Sequence, residues 1–291
     1  MNRQVSPAGE GGIRQRIRAA ADRLSGAQRT LAEYLLDQPS RAAVLNAGEL
    51  AAEVGVSAAS VVRFAQSLGY DGFLALKRDL QREYLQSVDP ADKVKETLAH
   101  LGQVPDTFRA VAELEISYLE RAIQSIAPAD FEAVVKLLGS AHRVGILGPG
   151  SSRGLVELLQ FRLRRFGVDV LAMTRVGGKD IFEDLHWLKK GDVLLVFAFL
   201  QPRPEILTAL RYAREAGVKT VAITDLETSP VTTLADVSLV GQRGPVGEFH
   251  SLVVPNAVVN ALILAYAKYA MPRSLKRLKE FQAIRARFTQ E

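Results

Sequence analysis

One short stretch, residues 49–69, constrains the fold more than any other part of the chain, because it has the pattern of two short helices joined by a tight turn. Small and branched apolar residues lie on one face of the first helix: Leu50, Ala51 and Val54. Gly55 supplies the positive φ that ends this helix, and Ser57 is a typical N-cap for the next. Apolar residues recur at helical spacing in that second helix: Val61, Phe64, Ala65 and Leu68. The stretch therefore predicts a helix-turn-helix unit.

The remaining face of the second helix is small and nearly free of acidic side chains, so it fits a DNA major groove without clash or repulsion. We expect contacts to DNA from five residues on this face: Ser57, Ala59, Ser60, Arg63 and Gln66. An ordinary helical hairpin within a bundle is the alternative. The combination of the small Ala51, the turn glycine and the serine cap favours DNA reading.

The flanking segments predict further helices that complete an all-α domain over residues 1–88. Two helices precede the central stretch, the second of them capped by Ser25 and ending near Gln38-Pro39. The helix that follows carries Lys77, Arg78 and Arg82, which are either phosphate contacts or a solvated face. We assign Lys77 and Arg78 to DNA phosphates. The net charge of +5 suits a polyanionic partner but does not by itself identify one.

Composition excludes several classes of protein. The chain has no cysteine and only four histidines, so thiolate zinc sites are excluded, and we expect neither a metal nor a cofactor. With 291 residues, of which 48% are hydrophobic, it is long enough for two domains. The first residues lack an apolar segment of signal-peptide length, and the longest apolar run, Val193–Leu200, is too short to span a bilayer. We therefore expect a soluble, cytoplasmic protein with no membrane partner.

After residue 88 the pattern predicts a helical linker over 89–126 and then a change of fold class. Asp130 is predicted to cap an amphipathic helix, after which short apolar runs alternate with helical segments. The predicted strands are 143–147, 168–173, 193–199, 220–224 and 237–240. Strands that alternate with helices imply crossovers and a parallel sheet. Residues 127–270 are therefore predicted to form a three-layer α/β domain with a five-stranded parallel sheet.

Ligands of such sheets bind at the carboxyl ends of the strands, which directs attention to the loop Gly148–Ser152. Its backbone N–H groups and two hydroxyls suit an anion at the start of the next helix, although a purely structural glycine turn is the alternative. Dinucleotide binding is disfavoured. Arg153 stands where the third glycine of the fingerprint is needed, and Asp169 begins the second strand, whereas a ribose-binding acid ends it.

These segments resemble the RpiR family of bacterial transcription regulators, which join an N-terminal helix-turn-helix domain to a C-terminal SIS (sugar isomerase) domain that senses phosphosugars. The resemblance rests on LAAEVGVSAASVVRFAQSLGYDGFLALK at 50–77, VGILGPGSS at 144–152 and the segment from GDVLLVFAF to REAGVKTVAITD at 191–225. It extends over about residues 25–265. It implies operator DNA and a small anionic metabolite, in the first place a sugar phosphate, as partners.

One departure from the family pattern bears on the ligand. SIS domains that bind sugar phosphates usually have a hydroxyl-rich Ser-x-Ser-Gly-x-Thr loop, whereas this chain has Ala198-Phe-Leu-Gln-Pro-Arg203. The lost hydroxyls remove phosphate donors, while Arg203 offers a charged contact instead. The pocket then holds a phosphosugar, holds another anionic metabolite, or is empty; we favour the first. The expected ligand contacts are Gly148, Gly150, Ser151, Ser152, Gln201, Arg203, Thr224 and His250.

A sugar-phosphate isomerase with an appended helical domain is the alternative function, with Glu248 and His250 as base and acid. The depleted phosphate loop beside a complete reading helix favours sensing without catalysis. The C-terminal segment 271–291 is predicted to be a basic amphipathic helix with an apolar stripe formed by Leu275, Leu278, Phe281, Ile284 and Phe288. Since specific DNA binding usually needs two-fold pairing, we expect a homodimer or homotetramer.

Overall fold

The computed structural model of the protein describes residues 12–87, 89–102, 106–174, 180–245 and 249–288. These residues form two compact units. The first comprises the described residues up to Gly102 together with those of 245–250, and the second comprises the others. The predicted linker 89–126 is divided between the two units, while the C-terminal helix belongs to the second.

The first unit is entirely helical in its described residues. Its helices are α1 (Ile13–Ala20), α2 (Gly26–Asp37), α3 (Pro39–Val44), α4 (Ala47–Val54), α5 (Ala58–Ser67), α6 (Phe73–Ser87) and α7 (Pro90–Leu101). Leu31, Leu50, Phe64 and Leu76 are completely buried in one apolar cluster that α2, α4, α5 and α6 share. Burying one such side chain contributes about 1.5–3 kcal/mol, so this core holds the two motif helices against their neighbours.

Two local expectations were wrong, and both errors have the same physical origin. Three helices precede the motif instead of two, because Pro39 begins the short helix α3 and does not merely end α2. Asp130 lies in the first turn of its helix, whose N-cap is Ala127 and whose first residue is Pro128. Proline is well suited to the first helical position, where its missing N–H has no intrahelical partner.

The second unit is a three-layer α/β structure around one five-stranded sheet. Its strands are β1 (Arg143–Leu147), β2 (Asp169–Met173), β3 (Val193–Phe197), β4 (Lys219–Thr224) and β5 (Val237–Val240). All neighbouring strands are parallel, in the order β2-β1-β3-β4-β5. The predicted number of strands and their parallel pairing are thereby confirmed. The order reverses at β1, so the crevice outside the ends of β1 and β3 is the expected ligand position.

The helices of this unit either cover a face of the sheet or, like the first and the last of them, pack on helices that do. They are α8 (Thr107–Ser125), α9 (Pro128–Ser140), α10 (Arg153–Arg165), α11 (Asp180–His186), α12 (Pro204–Glu215), α13 (Val231–Leu234), α14 (Val253–Tyr269) and α15 (Met271–Phe288). Along β3, Val193, Leu195 and Phe197 pack into the cluster with α9, α10 and α14. Leu194 and Val196 pack into the opposite cluster with α11, α12 and α13. This alternation is the period-two pattern of a strand buried on both faces.

Within the described ranges, no single helix has the length and hydropathy needed to cross a membrane. The helices α14 and α15 meet the criterion only jointly, as a pair bent by 102°.

Candidate DNA-binding and ligand-binding sites

The first motif helix, α4, is capped at both ends by its own sequence. Asn46 Oδ1 accepts hydrogen bonds from the N–H groups of Gly48 and Glu49, both at 2.9 Å, and the Glu49 carboxylate accepts from Asn46 N–H at 2.7 Å. This reciprocal capping satisfies N–H groups that have no intrahelical partner. The helix ends at Gly55, whose φ is +74°. Val56 N–H then donates to Ala51 O at 2.8 Å, which closes the turn.

The second motif helix, α5, begins at the predicted cap. Ser57 Oγ accepts from Ser60 N–H at 3.2 Å, so the serine is the N-cap, as expected. Val61, Phe64 and Ala65 are completely buried, which fixes the rotation of the helix about its axis. The opposite face is therefore presented to solvent.

That exposed face contains the residues predicted to read DNA. Ser57, Ala59, Arg63 and Gln66 are exposed and Ser60 is half-buried. Arg63 Nη2 donates to Ser60 Oγ at 3.3 Å, a weak contact that holds the guanidinium over the first turn of α5. No residue of α5 is acidic. The face can thus donate hydrogen bonds to base edges without repelling phosphate.

The predicted phosphate contacts lie on the next helix, α6. Arg78 is exposed and Lys77 is half-buried. Arg82 is the third basic residue that the sequence analysis considered on this helix. It forms an ion pair with Asp79 at 2.8 Å. Arg82 therefore balances a neighbouring carboxylate, whereas the structure places Arg78 in solvent.

Sequence reasoning missed a set of contacts that anchors the connection between α5 and α6. The Tyr70 hydroxyl donates to Asp79 Oδ2 at 3.1 Å, and the guanidinium of Arg16 lies 4.6 Å from the centre of the Tyr70 ring. Arg16 Nη1 also donates to Leu68 O at 3.2 Å. Burial, together with the Asp79 carboxylate, raises the pKa of Tyr70, so the phenol remains protonated as the donor.

The second unit contains a cavity of about 230 Å³ at the carboxyl ends of β1 and β3. Its lining residues are Pro149, Gly150, Ser151, Ser152, Phe197, Phe199, Leu200, Gln201, Pro202, Arg203, Ile206 and Arg243. Five of the residues predicted to contact a ligand are among them: Gly150, Ser151, Ser152, Gln201 and Arg203. Gly148, Thr224 and His250 do not line the cavity, and Glu248 lies outside the described residues.

The first wall of the cavity depends on two glycines. A Cβ at Gly148 would lie 2.7 Å from Val156 Cγ2, so glycine allows α10 to approach the end of β1. Gly150 has a φ of +61° and open space around it, so its backbone conformation is what requires glycine. Ser152 is 3% exposed and lines the cavity beside the exposed Ser151. A serine hydroxyl at a cavity wall is suited to donate to a bound oxygen.

The opposite wall contains an ion pair that sequence reasoning missed. Arg243, which follows β5, donates from Nε and Nη2 to Asp225 Oδ2 at 3.0 and 2.9 Å. Asp225 follows β4, and its Oδ1 accepts from Leu200 N–H at 2.8 Å. Burial raises the pKa of Asp225, while Arg243 and the Leu200 N–H act against that rise. The described residues contain no group of three or more His, Asp or Glu side chains suited to a metal ion.

Comparison with protein families identifies both units. Residues 11–87 match the helix-turn-helix domain of the rpiR family, and residues 137–265 match the SIS domain. The first match covers the two motif helices α4 and α5, and the second covers the five strands.

Solved structures agree with this assignment. The sugar isomerase domain of an RpiR transcription factor from Sphaerobacter thermophilus is 29% identical, with a TM-score of 0.56 over 60% of this chain and 96% of that chain. The Vibrio vulnificus NanR protein complexed with ManNAc-6P is similar over 94% of this chain and 97% of that chain, with 20% identity and a TM-score of 0.59. The chain belongs to the RpiR family of DNA-binding transcriptional regulators, with an N-terminal helix-turn-helix domain and a C-terminal SIS domain.

Proposed function

We propose that this regulator reads its operator through the exposed face of α5, with Arg63 as the principal base contact. The observation that carries the proposal is the rotation of α5, which buries Val61 and Phe64 and exposes Arg63 and Gln66 on a face without acids. An arginine fork recognises guanine through two acceptors, whereas Lys77 and Arg78 on α6 are assigned to phosphates.

Selection of bound sequences from random DNA tests the assignment, with Arg63→Ala compared with Arg78→Ala. Loss of a bidentate guanine contact costs about 1–3 kcal/mol and relaxes preference at one position. Loss of a phosphate contact weakens all sequences equally and reduces the salt slope by about 1. An unchanged sequence preference in Arg63→Ala would contradict the role of Arg63.

The cavity at Gly150–Ser152 and Gln201–Arg203 is proposed to be the effector site, and its ligand to be a phosphosugar or a related anionic metabolite. The Ser151 and Ser152 hydroxyls and the cation Arg203 line the cavity and support a polar, anionic ligand there. NanR was solved with ManNAc-6P, which makes sugar phosphates the first compounds to test. Of the three predicted contacts that do not line the cavity, Gly148 shapes its first wall, and Thr224 and His250 are assigned no role at it.

The response of DNA binding to a panel of sugar phosphates tests this effector site. Ser152→Ala and Arg203→Ala are expected to blunt the response and to leave ligand-free DNA binding nearly intact. Ser140→Ala is the matched control, because that serine lies at the end of α9, away from the cavity lining, and its hydroxyl donates to Leu137 O. If the two cavity variants respond as the wild type does, the cavity is not the sensor.

We further propose that this site binds its ligand without turning it over. Isomerisation of a sugar phosphate needs a proton shuttle between adjacent carbons, which a carboxylate or an imidazole usually provides. The described residues that line the cavity include neither group. When fructose 6-phosphate is incubated with the protein, NMR is expected to show no aldose product. Accumulation of glucose 6-phosphate would show that the protein is an isomerase.

The functional form is proposed to be a homodimer or homotetramer that acts in the cytoplasm. On α15, Leu275, Ile284 and Phe288 are more than half exposed, and α8, α9 and α14 border an apolar groove of about 530 Å³. Six basic residues and one acid lie on α15, whereas α8 and α9 together have five acids and three bases. We infer that α15 of a second copy occupies this groove, in a reciprocal arrangement that two-fold symmetry allows.

Light scattering tests the assembly, with Ile284→Glu compared with Gln282→Glu on the same helix. Ile284→Glu is expected to reduce the mass, and Gln282→Glu to leave it unchanged, because only the first places a charge in the apolar stripe. A wild-type mass of 31.8 kDa at micromolar concentration would argue against a stable dimer.

A further inference from the structure

Arg243 is buried in the wall of the proposed effector cavity. Its side chain is 5% exposed and the side chain of its partner Asp225 is 3% exposed. A buried ion pair is weak evidence for stability, because desolvation of both charges offsets their attraction. The position of this pair at a cavity therefore invites a functional explanation.

The guanidinium is held in one orientation and still has donors to offer. Both contacts to Asp225 use Nε and Nη2, and Nη1 has no acceptor among the described residues. The guanidinium carbon lies 4.0 Å from the centre of the Phe199 ring, in stacking distance. Two independent contacts thus preorganise the cation, and preorganisation lowers the entropic cost of binding.

The chemistry of the surrounding loop indicates which group such a cation serves. Of the loop residues that line the cavity, Phe199, Leu200 and Pro202 have no side-chain hydrogen-bond donor, whereas Gln201 and Arg203 have donors but no hydroxyl. An anion in this half of the cavity therefore finds a guanidinium where hydroxyls are lacking. A guanidinium matches two coplanar oxygens, as found in both carboxylates and phosphates.

We propose that Arg243 binds the anionic group of the effector, and that the effector is a polyhydroxylated compound with one terminal carboxylate or phosphate. The inference rests on the cavity being the effector site, and it assigns to that site a residue and a ligand chemistry. Ser151 and Ser152 on the opposite wall then face the hydroxyl-bearing part of the ligand.

Calorimetric titration of the full-length protein with glucose 6-phosphate, gluconate and glucose tests the inference. We expect one or both of the anions to bind and neutral glucose not to bind. The anion that binds shows whether the acidic group of the effector is a phosphate or a carboxylate. Arg243→Lys keeps the charge but loses the fork, and it is expected to weaken anion binding by at least about 10-fold. Arg211→Lys on the exposed face of α12 is the matched control and should bind as the wild type does.

A second variant removes the pair without leaving a lone buried charge. Asp225→Asn combined with Arg243→Gln is expected to abolish anion binding while its circular dichroism spectrum stays native; if it does not fold, Arg243→Lys alone decides. Wild-type affinity for the anion in Arg243→Lys would overturn the inference. If Ser152→Ala loses binding while Arg243→Lys keeps it, the proposed effector site stands and this inference fails. A wild type that binds neither anion would overturn both.

Discussion

Gly55, at the turn between α4 and α5, offers a quantitative test of the physical reasoning. It has a φ of +74°, and no heavy atom lies within 4 Å of where a Cβ would stand. Alanine at this position therefore meets no clash, and the whole effect comes from the backbone conformation. The left-handed conformation costs an L-residue about 1–2 kcal/mol. Alanine also lowers the entropy of the unfolded chain, which offsets part of this cost. We therefore expect Gly55→Ala to destabilise α4 and α5 by roughly 1 kcal/mol, which raises the equilibrium constant for local opening roughly 5-fold.

Gly26 provides the matched control for that substitution. It is also surrounded by open space, but it begins α2 without a positive φ. Gly26→Ala is therefore expected to be neutral or stabilising by up to about 1 kcal/mol. Hydrogen exchange followed by mass spectrometry of peptides from 47–67 and 26–37 measures both changes in the intact protein, without assuming that the two units unfold together. Equal or slower exchange of 47–67 in Gly55→Ala would refute the reasoning.

Three further substitutions test other parts of the structure. Burial tends to raise the pKa of Asp236, but donors from Thr220 and Lys219 outweigh it and hold the pKa below its usual value. Because Asp236 is exposed and its interactions are screened by solvent, Asp236→Asn should cost at most about 1 kcal/mol at pH 7 in thermal unfolding, and the difference should vanish as the pH falls through that lowered pKa. Phe64→Ala should cost about 3–5 kcal/mol; it should abolish DNA binding in gel shifts and leave calorimetric anion binding in place. Gly148→Ala puts a Cβ 2.7 Å from Val156 Cγ2, and calorimetry should show weaker anion binding.

Local signals in the sequence were sufficient for the two motif helices and for the sheet. Gly55 and Ser57 are the predicted C-cap and N-cap, because one needs a positive φ and the other supplies a side-chain acceptor. The five apolar runs became five parallel strands, because helical segments between them leave no room for hairpins. Proline misled the reasoning twice, at Pro39 and Pro128. A proline that ends one helix and a proline that begins the next look the same in a single sequence.

Contacts between distant segments could not be predicted in this way. Asp225 and Arg243 are 18 residues apart, and they meet only because β4 and β5 are neighbours and end at the same edge of the sheet. Asp225 ends one of the segments that carry the family resemblance, but Arg243 belongs to no local pattern, so no feature of a single sequence points to Arg243. The altered loop at 198–203 was a visible signal of change, but nothing in it indicates that Arg243 lines the same cavity.

The Asp225 carboxylate connects the loop and the cation, because its two oxygens serve different partners. Oδ1 accepts a hydrogen bond from the N–H of Leu200. Leu200 has a φ of +55° and is the only described non-glycine residue with a positive φ. Oδ2 holds Arg243. A branched residue in this conformation persists only when its surroundings stabilise it, and here the N–H bond to a buried carboxylate does so. Any ligand group that draws Arg243 away from Asp225 therefore also changes the support of the 198–203 loop. If Arg243 binds the anion as proposed, the ligand acts on the loop through this one carboxylate, and we propose that this link is the first step of the response of the second unit.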